Sequence, residues 1–217
     1  TDITVQYSSA RFDRSEPNRS FTADPYAYEL SVAFDAGGNC WTSNQFHEPF
    51  LYRTDARSKE RKAFPWKAHG LCFDKNGKLL GVSEEGLHQF DPATEQSRVY
   101  PSQAPLQRRS EFSHFLWKDS EDAMWIFGFE GLVKAVPTDA GYGFEYFVNN
   151  PADRASLSAN TVLSVADDPL EPWRYLWVGT KGGGLNRLDK KTGQFKQYKT
   201  AQGLPDNVIY GVLAENA

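Results

Sequence analysis

Polar and aromatic residues recur at two places of a repeating unit, and their types suit the recognition of a hydroxyl-rich ligand. One place directly precedes a short hydrophobic segment, and the other directly follows the next such segment. The residues concerned are Tyr28, Glu29, Asn44, His69, Glu84, His114, Glu130 and Lys181. Carboxylates and amides hydrogen-bond to neighbouring hydroxyl groups, and aromatic faces pack on the C–H side of a pyranose ring. We therefore expect these side chains to bind a sugar if the fold brings them together.

The same residues allow a second chemistry. A divalent cation held by glutamate and asparagine oxygens could polarise a carbonyl group while His69 moves a proton. Such an enzyme needs several ligands that converge on one cation, and the sequence offers only scattered candidates. We therefore expect a binding protein with no catalytic residue, metal or cofactor. A metal-dependent enzyme is the alternative, and a scaffold for protein contacts is a third.

Several of these positions also have a structural interpretation. Asn160 and Asn207, which fall beside the candidate residues, fit caps of turns through side-chain to backbone hydrogen bonds. His69 fits either a packed imidazole or a ligand contact, and Glu84 fits a solvated turn. Lys181 is followed by three glycines, as in a phosphate-binding loop, but no helix follows. We predict a hairpin there.

The elements that must position these residues repeat along the chain. An acidic residue ends the first hydrophobic segment of each unit, with spacings of 39, 45, 48 and 48 residues, at Asp35, Asp74, Asp119, Asp167 and Glu215. The second segments follow in step as CWTSN, LLGVS, MWIFG and LWVGT, and two further segments complete each unit. Aromatic and β-branched residues alternate with polar ones, and Gly, Asp, Asn and Pro separate the runs, as in strands and turns.

Four short antiparallel strands that recur at this spacing predict an all-β chain, a β-propeller of four-stranded antiparallel blades. The predicted blades are 28–66, 69–105, 113–156 and 160–205, and 207–217 would combine with 1–24 as a fifth. We favour a closed five-bladed ring, because the two ends together make one blade and closure removes exposed strand edges. An excerpt of a seven-bladed ring is the alternative.

Two further sets of residues recur and predict the core and the turns. Trp41, Trp125 and Trp177 share one place in the second strand, so we expect them between neighbouring blades. Aspartates follow the third strand of four units, where they would hydrogen-bond their own turns; they are Asp13, Asp55, Asp91 and Asp189. His47 and His88 are expected at the surface or in blade packing.

Composition limits the partners. The net charge of −4 is dispersed, which argues against nucleic acid. No apolar run approaches the roughly 20 residues of a membrane-spanning helix. The first residues lack the layout of a signal peptide, so we expect a mature segment or a piece of a longer protein. Cys40 and Cys72 fit a pair of buried thiols or one disulfide.

Residues 150–217 resemble the two-component regulator propeller repeat. The resemblance is carried by the NNPADRASLSANTV loop, the LWVGTKGGGLNRLD hairpin and the GLPDNVI segment. Proteins with this repeat form propellers in the extracytoplasmic part of bacterial hybrid sensor kinases and sense glycans. The resemblance implies a ligand-sensing propeller, in the periplasmic or extracytoplasmic part of an inner-membrane protein, that binds a small glycan or sugar acid. Its partners would be the neighbouring domains of a sensor kinase, and a homodimer is left open.

Residues 28–105 look more like the propellers of gluconolactonases and streptogramin lyases, which use a metal at the central channel. The lyase pattern implies roles for His69 and Glu84. His114 and Glu130 would form a second pair, although Phe115 stands where that pattern has glycine. The lactonase pattern has asparagine at the place of His69. This resemblance implies the metal-dependent enzyme as the alternative function.

Overall fold

The described residues form four four-stranded antiparallel sheets. The computed structural model describes residues 29–44, 51–66, 68–83, 85–101 and 114–213, without the side chains of Glu29, Leu30, Asn44, His69 and His114. Blade 1 contains β1 (Glu29–Phe34), β2 (Cys40–Asn44), β3 (Leu51–Thr54) and β4 (Arg61–Phe64). Blade 2 contains β5 (His69–Phe73), β6 (Leu79–Ser83), β7 (Gly86–Phe90) and β8 (Ser97–Pro101). Blade 3 contains β9 (His114–Lys118), β10 (Met124–Gly128), β11 (Gly131–Thr138) and β12 (Gly141–Phe147). Blade 4 contains β13 (Val162–Asp167), β14 (Tyr175–Thr180), β15 (Leu185–Asp189) and β16 (Phe195–Tyr198), and a 3-10 turn follows at Thr200–Gln202.

The predicted all-β propeller is confirmed. Strands pair in chain order within every blade, and the first strands β1, β5 and β9 lie beside one another. Four blades within the described residues are consistent with the expected total of about five. The predicted fifth blade combines 207–217 with 1–24, and of these residues only 207–213 lie within the described part of the chain. Val208 bridges to Lys181, and pairing of 207–217 with the N-terminal residues stays a prediction.

An aspartate closes the turn between the first and second strands, and it is buried in blades 2, 3 and 4 and half-buried in blade 1. In blade 3, Asp119 accepts the backbone N–H groups of Glu121 (3.0 Å) and Ala123 (2.8 Å), and the indole N–H of Trp125 (2.9 Å). In blade 1, Asp35 accepts the indole N–H of Trp41 at 3.0 Å. The carboxylate therefore fixes both the turn and the orientation of the tryptophan on the next strand.

In blade 4 the sequence-based alignment was wrong by one residue. Asp168, and not Asp167, accepts the indole N–H of Trp177, at 3.0 Å. Asp168 also begins the turn, since its N–H donates to Tyr175 O at 3.2 Å. Burial would raise the pKa of Asp168, but the N–H groups of Glu171 and Leu170 and the Arg187 guanidinium outweigh it and lower that pKa. The sequence did not reveal this alignment, because Asp167 and Asp168 are adjacent and the turn that follows them is longer than in the other blades.

Blade 2 replaces the tryptophan with Leu80 and keeps the aspartate. Asp74 accepts the side-chain amide of Gln89 at 3.1 Å, and the Tyr100 hydroxyl donates to Gln89 Oε1 at 3.0 Å. Tyr100 packs edge-on against Tyr142 of blade 3, with ring centroids 5.2 Å apart. Gln89 therefore takes the place of the indole as the side-chain donor to the aspartate, and Tyr100 and Tyr142 supply aromatic packing between blades 2 and 3.

Three hydrophobic layers lie between consecutive blades. Trp41 is fully buried against Phe64 and Phe90 in the first layer, and Trp125 is fully buried with Phe195 of blade 4 in the third. These two placements confirm the expected blade-to-blade core. Trp177 is only half-buried, because among the described residues no further sheet covers its face of blade 4.

A buried cation joins blades 3 and 4 at the edge of the third layer. The Lys190 ammonium donates to Asp119 Oδ2 (2.7 Å), Asp167 Oδ1 (3.1 Å) and the carbonyl oxygen of Pro172 (2.7 Å). Its side chain is 7 % exposed and that of Asp119 is fully buried. Burying these charges is tolerated because each has several partners. Asp167, which does not close the turn, thus has a structural role between blades 3 and 4.

The aspartates after the third strands close turns, as predicted. Asp55 Oδ1 accepts the N–H groups of Arg57 and Ser58, and Asp189 Oδ1 accepts that of Lys191. Asp91 accepts the N–H of Ala93 and the Lys78 ammonium, and the bond from Lys78 contributes most to lowering its pKa to about 2. Asp13 lies outside the described residues.

The thiol and membrane expectations can also be compared with the structure. Cys40 and Cys72 are not joined in a disulfide, and both are half-buried. Burial raises the pKa of the Cys72 thiol. Among the described residues, no helix has the length and apolar character required to cross a bilayer.

Truncation of the recurring tryptophans should cost stability in proportion to their burial. We expect Trp125→Ala to lower the free energy of unfolding by about 3–5 kcal/mol, as for other large aromatic truncations. Trp177→Ala should cost less, because its ring is only half-buried. Trp173→Ala is the control, since Trp173 is 54 % exposed and should change stability by less than about 1 kcal/mol. Urea unfolding measures all three, and equal losses for Trp125 and Trp177 would contradict the half-buried position of Trp177.

Candidate functional site

The candidate site lies at the end of the blades where first strands begin and second strands end. Antiparallel pairing brings these two places together: Glu29 pairs with Asn44, His69 with Val82 and His114 with Gly128. The structure thus places the backbones of Glu29, Asn44, His69 and His114 at one end of their blades, which we call the mouth. Their side chains are not described, and Tyr28 and Glu84 lie outside the described residues. Their binding roles stay predictions.

Blade 3 presents exposed aromatic rings at the mouth. Phe115 follows His114 in β9, and its ring stacks on Phe127 with centroids 5.5 Å apart and planes 27° apart. Phe129 and Glu130 form the two-residue loop between β10 and β11, and Phe129 is 49 % exposed. Phe115 is 41 % exposed. This end of blade 3 therefore combines aromatic faces with two predicted site residues.

Phe129 was missed in the sequence analysis. Its signal is an aromatic residue in a tight hairpin loop, where Gly, Asn or Asp is usual. Gly131, the residue after the loop, has φ +113°, and a Cβ atom there would lie 2.6 Å from the carbonyl oxygen of Phe147. The glycine therefore permits the hairpin, and Phe129 in its loop is 49 % exposed.

The two asparagines at the mouth stabilise loops. Asn160 Oδ1 accepts the N–H of Asn149 at 2.6 Å, and the backbone oxygen of Asn160 accepts the N–H of Gly131 at 2.7 Å. Asn207 Oδ1 accepts the N–H of Thr200 at 3.0 Å. These bonds agree with the structural interpretation of both residues.

Lys181 lies in a glycine hairpin and not in a phosphate-binding loop. The N–H groups of Gly182 (2.9 Å) and Gly184 (2.8 Å) both donate to the backbone oxygen of Asn207. These donors are therefore engaged within the chain. Gly184 has φ +83°, and a Cβ atom there would overlap the carbonyl oxygen of Tyr198. The Lys181 side chain is exposed at the mouth, so it alone of this hairpin can reach a ligand.

A buried hydroxyl and a buried polar side chain occupy equivalent positions just below the mouth in two blades. In blade 2, Ser83 Oγ lies 2.6 Å from His88 Nε2 and accepts the N–H of Glu85 at 3.0 Å. In blade 4 the corresponding positions hold Thr180 and Asn186. The strand pairing establishes this equivalence. His88 pairs with Gly81, which follows Leu80, and Asn186 pairs with Val178, which follows Trp177.

These pairs fix loops. Asn186 accepts the N–H of Ser158 at 3.1 Å and donates to Ser158 Oγ at 2.8 Å, which holds the loop between blades 3 and 4. His88 contacts Trp66, which leads into blade 2, with ring centroids 6.0 Å apart. The Ser83–His88 pair resembles a nucleophile and its base, but its counterpart in blade 4 shows a positioning role. His88 packs within a blade, one of the two places expected for it.

The electrostatics of His88 follow from this packing. Its side chain is 10 % exposed, and Glu85 Oε2 lies 3.9 Å from Nε2. Burial lowers the pKa of His88, and the Glu85 carboxylate opposes this shift only in part. The imidazole is therefore neutral near pH 7, and the Ser83 hydroxyl can donate to Nε2.

A metal centre has no ligand set within the described residues. No group of three or more His, Cys, Asp or Glu side chains lies close enough together there to hold an ion. The described part of the chain thus offers no centre for the lyase-like alternative, and that alternative depends on Glu29, His69, Glu84 and His114.

Comparison with known proteins supports the fold. No family model and no curated protein matches the chain. The extracellular domain of a hybrid two-component system from B. thetaiotaomicron is similar in structure, with a TM-score of 0.65, 15 % identity and coverage of 87 % of this chain and 24 % of that one. A streptogramin B lyase has a TM-score of 0.61 and 15 % identity, covering 88 % of this chain and 60 % of that one. An auxiliary nutrient binding protein from Bacteroides ovatus has a TM-score of 0.55 and 13 % identity, covering 79 % of this chain and 47 % of that one.

Both resemblances inferred from the sequence are therefore confirmed among solved structures, as similarities of fold. The chain spans about a quarter of the extracellular domain of the two-component system and three fifths of the lyase. At these identities the comparisons show the propeller and leave ligand and reaction to be argued from the site.

The buried imidazole should make stability depend on pH. We expect the free energy of unfolding to fall as pH decreases below the ordinary histidine value of 6.5, because the unfolded chain takes up a proton that folded His88 resists. One such group contributes a slope of at most about 1.4 kcal/mol per pH unit. His88→Asn, which introduces the residue found at the equivalent place in blade 4, should reduce that slope.

Urea unfolding between pH 7.5 and pH 5 measures the effect. Aspartates with lowered pKa values, such as Asp35 and Asp168, contribute only near and below their ordinary value of 3.8, so they leave this window clear. An unchanged slope in His88→Asn would show that other histidines cause it.

Proposed function

We propose that this chain is an extracytoplasmic, ligand-sensing propeller of a bacterial two-component regulator. It binds a small glycan or sugar acid at the mouth and releases it unchanged. The observation that carries this proposal is the cluster at the mouth end of blade 3, where exposed Phe115 and Phe129 adjoin His114 and Glu130. Exposed rings beside polar groups offer a sugar both C–H packing and hydrogen bonds.

The expected affinity is modest. A saccharide exchanges hydrogen bonds to water for hydrogen bonds to protein, with a net gain of only about 1 kcal/mol for each. The rings lie on a hairpin and a strand held by a fixed backbone, so little ordering opposes binding. A reversible complex with a small ligand suits a sensor, because occupancy then follows concentration.

The structural comparisons support a binding role. The similar folds include the extracellular domain of a hybrid two-component system and a nutrient binding protein. This chain spans only part of each, so neighbouring domains of a sensor kinase would carry the output. We place the propeller on the periplasmic side of the inner membrane because the similar domain of the two-component system is extracellular.

A metal-dependent lyase or lactonase is the second candidate, favoured by the structural similarity to a streptogramin B lyase. In that case a divalent cation would be held by Glu29, Asn44, Glu84 or Glu130, and His69 would move a proton. An enzyme of this kind should form product, and a chelator should abolish that turnover. A sensor should show saturable binding without product.

Ligand binding tests the proposed function through Phe129. We expect a panel of oligosaccharides and lactones to include a ligand that gives saturable heat and is recovered intact. Phe129→Ala should weaken its binding by about three- to tenfold through lost packing on the sugar. Phe34→Ala is the matched control, since Phe34 is also exposed, at 59 %, but lies at the opposite end of the first strand of blade 1. Isothermal calorimetry measures both variants.

Product analysis with and without added divalent metal accompanies calorimetry. Formation of product that depends on metal and is lost in His69→Ala would overturn the sensor proposal in favour of the enzyme. Equal weakening by the Phe129 and Phe34 variants would contradict binding at the mouth of blade 3.

A further inference from the structure

A polar groove lies on the outer edge of blade 4, beside the mouth. It has a volume of about 770 Å³ and is formed by the loop that joins blades 3 and 4, by β16 and by the residues that follow β16. None of the predicted site residues that the structure describes lines it. Its size suits a ligand of several sugar rings rather than a single ion.

The groove concentrates positive charge on a negatively charged protein. Arg154, Lys196 and Lys199 line it together with a single carboxylate, Asp153, but the Lys196 ammonium lies over the Tyr198 ring, 5.2 Å from its centroid, on the other face of β16. Within the described residues, none of these three cations forms an ion pair. The chain as a whole has a net charge of −4, so this charge is local to the groove. A ligand with anionic groups is therefore favoured here.

The wall that carries Arg154 is held in place by backbone contacts. Ala155 O accepts the N–H of Phe195 at 2.7 Å, and Ser156 O accepts the side-chain amide of Gln197 at 2.9 Å, so the loop covers the outer edge of β16. Leu157 is fully buried in the core between blades 3 and 4. The loop is thus ordered before a ligand arrives, which lowers the entropic cost of binding.

The lining distinguishes an acidic saccharide from other anions. Asn149, Asn150 and Gln202 add amide groups that can reach hydroxyls. The aromatic residue of the lining, Phe195, is only 6 % exposed, so the groove has no platform on which a base or a neutral sugar ring could stack. Charge and hydrogen bonds must therefore supply the recognition.

We propose that this groove binds an acidic oligosaccharide, whose carboxylate or sulfate groups contact Arg154 and Lys199. No predicted site residue within the described part of the chain lines the groove, so this proposal and the proposed function can fail independently.

Calorimetry on the whole chain with chemically matched sugars tests the proposal. We expect a galacturonic acid hexamer or a sulfated chondroitin hexasaccharide to bind, and the better of the two identifies the anionic group. The methyl-esterified galacturonic acid hexamer, which has the same backbone without the charges, should bind at least about tenfold more weakly. Raising NaCl from about 50 to about 300 mM should weaken the acidic ligand, because salt screens exposed charges.

Paired variants locate the contacts. Arg154→Gln with Lys199→Gln should weaken the acidic oligosaccharide by about five- to twentyfold. Lys75→Gln with Lys191→Gln removes the same charge from exposed positions outside the groove and should change binding by less than about twofold. Thermal unfolding confirms that both double variants are folded.

Four results would overturn the proposal. These are no binding of either acidic oligosaccharide, equal binding of the methyl ester, equal losses in the two double variants, or loss of binding in Phe129→Ala but not in the groove variant. The last result would place the acidic ligand at the mouth and leave the proposed function standing.

Discussion

The fold depends on a carboxylate placed where each first strand turns into the second, and this carboxylate is buried in three of the four described blades. An ionised carboxylate away from water is tolerated only when donors surround it. Asp119 meets that requirement with two turn N–H groups, the indole of Trp125 and the ammonium of Lys190 from the next blade. One side chain therefore fixes the turn, orients the largest core residue and joins two blades. The indole then enters the hydrophobic layer between blades in a single orientation.

This arrangement separates the part of each blade that carries stability from the part that is open to variation. The carboxylates lie at the end opposite the mouth, since first strands run away from it. At the mouth end, the Ser83–His88 pair and the contacts of Thr180 and Asn186 with Ser158 hold the loops without filling the opening. Tips such as Phe129 can then change at little cost to the core, and this is where recognition residues are expected in a rigid scaffold.

Much of the fold could be predicted from the sequence, because the repeat encodes it locally. Alternation, turn residues and the recurring aspartate and tryptophan predicted the strand order of the blades without any long-range information. The prediction failed where two aspartates stand together: Asp167 and Asp168 look alike in sequence, and only hydrogen-bond geometry assigns Trp177 to Asp168. Blade 2 shows a related limit, since replacement of tryptophan by Leu80 gave no hint that Gln89 and Tyr100 would complete the interface.

The candidate sites were less predictable, for a physical reason. Backbone positions at the mouth follow from strand direction, but exposure of Phe129 follows from a hairpin that Gly131 permits. The groove was harder to predict from the sequence, because Arg154 and Lys199 are 45 positions apart. They line one groove only because the loop that carries Arg154 hydrogen-bonds to the edge of β16. A net charge of −4 gives no long-range attraction to an acidic ligand. Recognition in the groove must therefore depend on short-range contacts, and these are effective only because bonds such as Phe195 N–H to Ala155 O hold the loop in place.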